Sequence, residues 1–379
     1  MDLAEVLRAG TAHGASDFHL KARQLPVVRT QGRLAPLEGS APIDSKELDQ
    51  MALSMMSPHQ RERYERDGGV DVQYSVAGIG RFRASICRAR GATSIALRVV
   101  PYELPTFEEL HLPPVVAKLS VEPRGLILVT GPAGSGKSTT LAAMINHMNL
   151  NRNDHIVMIE DPIEFLHQDK NCIITQREVG SDCPTFAEAL RICLRQDPDV
   201  IMVGEMRDLE TIRTVLTLAE TGHLVMSTLH TITAAETVNR IISEFPGHQE
   251  RQIRNQLSQV LRGILSQRLI DRSDQPGILP AIEVLVSTST IQRCIEDPGR
   301  TAQIPTAIAE GRDMYGMQTF DQCVLAYYQQ SMITYETALR ASSSPADFEV
   351  EVQRLAMAQP QPAPSRSSTG KIGGRPPGR

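Results

Sequence analysis

Gly131-Pro132-Ala133-Gly134-Ser135-Gly136-Lys137-Ser138 decides the reading of this chain, because the apolar run Gly125 to Val129 leads into it and a helix-like run, Thr139 to Met148, leads out. The order is strand, glycine loop, helix. Glycines in such a loop let successive backbone N–H groups turn toward a phosphate, where a Cβ would block both the close approach and the positive φ angles. The spacing is that of a Walker A loop, so Gly131, Ala133, Gly134, Ser135, Gly136, Lys137, Ser138 and Thr139 are the candidate residues for ATP or GTP. Lys137 would reach the β- and γ-phosphates, the Ser138 hydroxyl would ligate Mg²⁺, and the helix would direct its positive end at the anion.

Outward from this loop, strand patterns alternate with helical ones between about residues 123 and 290. Strands are predicted at Gly125 to Thr130, His155 to Ile159, Asp199 to Val203, His223 to Leu229 and Ala281 to Val286. That alternation predicts an α/β fold with a largely parallel sheet covered on both faces. Polar residues cluster just after the strands, where an open α/β sheet places its ligands.

The second strand ends in Ile159-Glu160-Asp161-Pro162-Ile163-Glu164, three carboxylates at the presumed catalytic edge. A carboxylate there can accept the proton of an attacking water, although a solvated acidic loop reads the same way. The third strand ends in Val203-Gly204-Glu205-Met206-Arg207-Asp208. An apolar strand followed by an acid is the pattern of a Walker B segment, with Glu205 standing where Asp is usual, so Ser138 and Glu205 form the candidate metal site. The fourth runs His223 to Thr231. Ser227, Thr228 and His230 at the end of a buried strand suggest a sensor of the γ-phosphate or of the neighbouring acid; His223 reads equally well as a cap or core residue. Arg81, Arg83, Arg98, Arg195 and Arg207 are candidates for neutralising charge in the transition state, two or three of them being expected to act.

The remainder bounds the architecture. Residues 1–100 read as a small α+β unit, with helices at Asp2 to His13 and at Ser45 to Arg66, and strands at Phe18 to Leu20, Pro26 to Arg29, Val70 to Ser75, Arg81 to Ile86 and Thr93 to Val99. A proline-punctuated stretch makes 101–122 the expected linker, and 123–345 the catalytic domain with C-terminal helices at Phe320 to Tyr328 and Tyr335 to Leu339. Residues 358–379, rich in Pro, Ser and Gly and free of acids beyond Gln359, read as a disordered tail. No secretory signal or membrane-spanning run is legible, which predicts a cytoplasmic protein. Six scattered cysteines fit buried thiols better than a metal site. The net charge of −5 and 4% aromatic content argue against a nucleic-acid partner.

The Walker A loop, Ile-Glu-Asp-Pro-Ile-Glu at 159–164, Gly-Glu-Met-Arg-Asp at 204–208, and Thr-Gly-His with Thr-Leu-His at 221–230, taken in this order, resemble the secretion ATPase superfamily with its Asp box, atypical Walker B and His box. Ser16-Asp17-Phe18-His19-Leu20, Thr175-Gln176-Arg177-Glu178-Val179-Gly180 and Gly316-Met317-Gln318-Thr319-Phe320-Asp321 extend the likeness, which is greatest to PilT-type pilus retraction motors. The resemblance implies a PAS-like N-terminal domain followed by a RecA-like P-loop ATPase domain, and a homo-hexamer with nucleotide between the domains. It further implies Glu164 as base, Glu205 supporting Mg²⁺, His230 in the His box, arginine fingers in the Arg81, Arg83 and Arg98 region, and an inner-membrane pilus platform protein as partner, with the motor peripheral to that membrane.

One stretch departs from the family. Retraction motors carry Ala-Ile-Arg-Asn-Leu-Ile-Arg-Glu where this chain has Thr290-Ile291-Gln292-Arg293-Cys294-Ile295-Glu296-Asp297, retaining the apolar framework and part of the charge. Rival readings are therefore a pilus assembly or secretion ATPase and a non-hydrolytic nucleotide-binding regulator; a DNA translocase fits the charge poorly.

Overall fold

The computed structural model describes residues 2–358 apart from Gln31 and Tyr102, so most of the expected C-terminal tail, 359–379, lies outside the described residues. Among the described residues, thirteen strands form two sheets. The first sheet holds β1 (Ala15–Lys21), β2 (Val27–Thr30), β3 (Arg33–Pro36), β4 (Gly69–Val76), β5 (Gly80–Ala89) and β6 (Ala92–Val100), in the order β3-β2-β1-β6-β5-β4. All its pairings are antiparallel. Alternation along β5 buries Phe82, Ala84 and Ile86, together with helix residues such as Leu7, Leu48 and Met51, and turns Arg83 and Ser85 outward.

The long helix expected over 45–66 is two helices, Ser45–Met55 and Pro58–Asp67. Pro58 disfavours helical backbone at its predecessor, and Ser57 restarts the chain: its Oγ accepts from Gln60 N at 3.3 Å while Gln60 Oε1 accepts from Ser57 N at 2.9 Å.

The second sheet holds β7 (Gly125–Thr130), β8 (His155–Glu160), β9 (Ile173–Glu178), β10 (Val200–Val203), β11 (Leu224–Leu229), β12 (Leu261–Asp271) and β13 (Ile278–Val286), in the order β13-β12-β7-β11-β10-β8-β9. Only the β12–β13 hairpin is antiparallel. Every residue of β7, β10 and β11 is buried, and alternate ones serve opposite cores: Leu126, Leu128, Ile201 and Val225 on one face, Ile127, Val129, Met202 and Met226 on the other. The α+β sheet and the RecA-like α/β sheet expected from the sequence are both present.

Three strands were not expected. β3 is a short, wholly exposed edge, while β9 and β12 mix polar with apolar residues and give no apolar run to read. Helices Phe320–Gln329 and Tyr335–Ala341 lie where expected and pack on β12 and β13 through Phe320, Val324 and Ala338 against Ile270, Leu279 and Ala281. Helix Ser289–Glu296 contains most of the divergent stretch. Its buried residues, Ile291, Cys294 and Ile295, form the apolar framework, with Cys294 standing where the motif has Leu, and Thr290, Arg293 and Glu296 on its exposed side carry further departures.

Candidate active site

A cavity of about 510 Å³ opens where β7, β8, β10 and β11 end, lined by residues 133–139, Glu160, Asp161, Pro162, Glu164, His167, Gly204, Glu205, Thr228 and His230. Phe165, Phe186, Met158, Met202 and Leu269 supply its apolar wall. Residues from four separate motifs meet here because their strands are neighbours in the sheet though not in the chain.

The glycine loop is built from the backbone outward. Gly131, Gly134 and Gly136 have φ of 144°, 75° and 85°, in the region L side chains avoid. A Cβ on Gly131 would also overlap the Gln267 carbonyl oxygen. Gln267 is a site residue that sequence reasoning missed, since it lies far along the chain on the unrecognised β12. Its Nε2 donates to Ser135 O at 2.6 Å and its Oε1 accepts from Thr140 Oγ1 at 2.9 Å, tying the loop to its helix. Helix Lys137–Asn151 begins at Gly136 without a side-chain cap, and the first-turn N–H groups of any helix lack intrahelical acceptors. The Ser135 hydroxyl is buried, without a hydrogen-bond partner among the described residues. A loop of this shape fits an anion.

Lys137, 8% exposed, donates from Nζ to Gly131 O and Pro132 O, each at 2.9 Å. Burial pushes its pKa down, and the nearby Glu205 and Glu164 carboxylates push it back up. Glu205 sits inside a polar network: Arg207 Nη2 donates to its Oε1, His230 Nε2 stands 3.4 Å from its Oε2, and Arg207 Nη1 lies 3.6 Å from Asp161 Oδ2. Glu160 is almost completely buried, and that desolvation raises its pKa to about 7 against the hydrogen bond from Gln176.

Other expectations need revision. Ser227 Oγ donates to Val203 O at 2.8 Å and Thr228 Oγ1 to Gly204 O at 2.6 Å, so these hydroxyls hold the neighbouring strand end; of the two only Thr228 lines the cavity. His223 precedes β11 at the opposite edge, with Nδ1 3.0 Å from Leu218 O, which is its capping reading. Arg195 is exposed in the turn after helix Phe186–Cys193, away from the cavity lining. Arg81, Arg83 and Arg98 are also outside that lining. They share one face of the first sheet, where Arg83 pairs in register with Arg98; Arg98 Nε donates to Asp17 Oδ1 at 2.8 Å and Arg81 Nη2 approaches Glu178 Oε2 at 3.4 Å. Of the six cysteines five are buried, and Cys87 is exposed on β5 because it falls on the outward side of the alternation.

A glycine loop of Walker A spacing between β7 and its helix, sharing a cavity with acids that end or follow the parallel strands β8 and β10, defines the class of P-loop nucleotide hydrolases. Within that class the chain belongs to the type II/IV secretion system protein family, whose model matches residues 5–343. It is 41% identical over 348 residues to the type IV pilus retraction ATPase PilT of Pseudomonas aeruginosa, covering 92% of this chain and 100% of that protein. A twitching motility protein of Neisseria gonorrhoeae is 40% identical over 319 residues, or 84% of each chain. A crystal structure of the pilus retraction motor PilT with bound ADP superposes with a TM-score of 0.84 at 43% identity, covering 92% of this chain and 99% of that one. Among the described residues, no helix is long and apolar enough to cross a membrane.

Proposed function

We propose that this chain is the subunit of a homo-hexameric, ATP-hydrolysing motor that drives type IV pilus retraction. It works on an inner-membrane platform protein from the cytoplasmic side, as a peripheral component of the pilus base. The observation that carries the reading is the convergence of Lys137 and Ser138 with Glu164, Glu205 and His230 on one cavity. The likeness to proteins named for retraction and twitching, over nearly the full chain, supports it.

In this mechanism the amides of Gly134 to Thr139 and the Lys137 ammonium bind the phosphates of ATP. Ser138 and Glu205 would hold Mg²⁺, and the ion when bound would supply positive charge against the phosphates. Glu164 takes the proton of the attacking water. Arg207 and His230 fix the Glu205 carboxylate and keep it oriented. Arg81, Arg83 and Arg98 lie off the cavity of their own chain, so any charge they bring to it arrives by movement of the N-terminal sheet or from a neighbouring subunit. Arg195 has no role in this scheme.

The test is direct. Labelled pili should stop shortening when the gene is deleted and when Lys137→Ala replaces it, and normal shortening in either strain would overturn retraction. A second reading, a motor for pilus assembly or secretion, is favoured by one feature. Helix Ser289–Glu296 keeps apolar residues at the buried positions of the retraction motif, with Cys294 in place of Leu, and changes the exposed ones, including Glu296 where the motif has Arg. Loss of pilus formation or secretion on deletion, in place of loss of shortening, would favour that motor.

A further inference from the structure

β9 is an edge strand that the mechanism above leaves without a task, yet two of its side chains hold the segment that carries Glu164. Gln176 Nε2 donates to Glu160 Oε1 and to Phe165 O, each at 2.9 Å, and its Oε1 accepts from His167 N at 2.9 Å. Three of the amide's four hydrogen-bonding positions are therefore spent on residues 160–167. Two residues on, and so on the same side of the strand, Glu178 Oε2 accepts from Ile163 N at 3.2 Å. Ile163, Phe165 and His167 thus attach in alternation to β9. Glu164 lies between two of these anchors, and among the described residues no hydrogen bond holds its own carboxylate, so its place is set by the backbone on either side.

Glu178 has a further connection. It is 5% exposed, and a carboxylate so buried is costly without a cation. The cation is Arg81, whose Nη2 lies 3.4 Å from Glu178 Oε2, the same oxygen that holds Ile163 N. Arg81 belongs to β5 of the N-terminal sheet. One oxygen therefore joins that sheet to the loop bearing the proposed base.

We propose that Gln176 and Glu178 are positioning residues: they set the Glu164 carboxylate by clamping residues 161–167, and Glu178 passes the position of the N-terminal sheet to that clamp through Arg81. This rests on the assignment of Glu164 made above. It gives the motor a short physical route, in atoms rather than in sequence, between domain movement and the hydrolytic group.

The experiment uses the full-length protein. Steady-state turnover of Gln176→Ala should fall about 10- to 100-fold in kcat, the range a displaced reacting group produces, with KM and the affinity for a fluorescent ADP analogue within about twofold of wild type. In a Glu164→Gln background, Gln176→Ala should cause no further loss. Hydrogen exchange should accelerate at the amides of Ile163 to His167 in Gln176→Ala, in Glu178→Ala and in Arg81→Ala, while helix Lys137–Asn151 keeps its protection. An unchanged kcat, a parallel loss of nucleotide affinity, or loop exchange indifferent to Arg81→Ala would overturn the proposal. Exchange reports the clamp without turnover: if Glu164→Gln retains full activity while the loop responds as stated, the assignment of the base fails and the clamp stands.

Discussion

His230 Nε2 stands 3.4 Å from Glu205 Oε2, so the residue that follows β11 reaches the acid that follows β10. The contact exists because the two strands are parallel neighbours in register, Val203 beside Ser227. His230→Ala should lower kcat roughly tenfold, the lower end of what losing a residue that orients another functional group costs, with KM little changed. Phosphate release under saturating ATP measures it; a rise in KM at constant kcat would make His230 a nucleotide-binding residue instead.

Lys137 and Glu164 line the same cavity but should fail differently. Lys137→Ala removes the ammonium that faces the loop carbonyls, so nucleotide affinity and turnover should fall together. Glu164→Gln keeps size and polarity, so ADP-analogue affinity should stay within about twofold while turnover drops about 10²- to 10⁴-fold, the usual contribution of a general base, which is the role proposed for Glu164. Equilibrium binding paired with phosphate release separates the two outcomes.

Glu160 gives a pH signature. Its folded pKa of about 7 lies above the ordinary 4.5, because burial penalises the charged form. A carboxyl raised in this way contributes stability that is fully present below about pH 4.5 and is lost as pH rises through about 7, an effect on the order of 3 kcal/mol. Glu160→Gln cannot ionise. The stability of that variant relative to wild type should therefore increase between pH 4.5 and pH 8, read from urea unfolding at both values in nucleotide-free buffer. A constant difference would contradict the buried, protonated carboxyl.

Gly131→Ala should be poorly tolerated for two reasons that add: the φ of 144° and the overlap of a Cβ with the Gln267 carbonyl. A loss of about 1–3 kcal/mol is expected from the strain alone, together with weakened nucleotide affinity because Gln267 also holds Ser135. Thermal unfolding and binding should shift together. Gly134→Ala is the comparison, since a Cβ there meets nothing within 4 Å and only the φ of 75° is penalised.

Asn149, fully buried in the helix after the glycine loop, holds the far half of the β8–β9 connection. Its Nδ2 donates to Gln168 O at 2.7 Å, and its Oδ1 accepts from Lys170 N at 3.1 Å and Cys172 N at 3.3 Å. Asn149→Ala leaves these backbone groups without partners and should cost about 2–4 kcal/mol. A urea midpoint unchanged from wild type would show that water replaces the amide.

The elements legible in the sequence were those with a local signature. Residues 125–151 announced strand, loop and helix because apolar runs and glycine spacing report on adjacent residues. Pro58 was equally local, yet the helical spacing on both sides of it concealed the break between Met55 and Pro58. β9 and β12 escaped because polar and apolar residues are mixed along them and leave no periodic mark. With them went Gln176, Glu178 and Gln267, whose roles are hydrogen bonds across the fold.

By itself the sequence determined the glycine loop, the alternating α/β order and the acids that follow the strands, since each is a matter of residues a few positions apart. Tertiary structure decided which of those acids share a cavity, because the sheet order β7-β11-β10-β8-β9 differs from chain order and brings 137, 164, 205 and 230 to one edge. It also decided that Arg81 meets Glu178, 97 positions away. Such a contact depends on how two separate sheets are placed in the folded chain, and a linear sequence carries no distance that would reveal it.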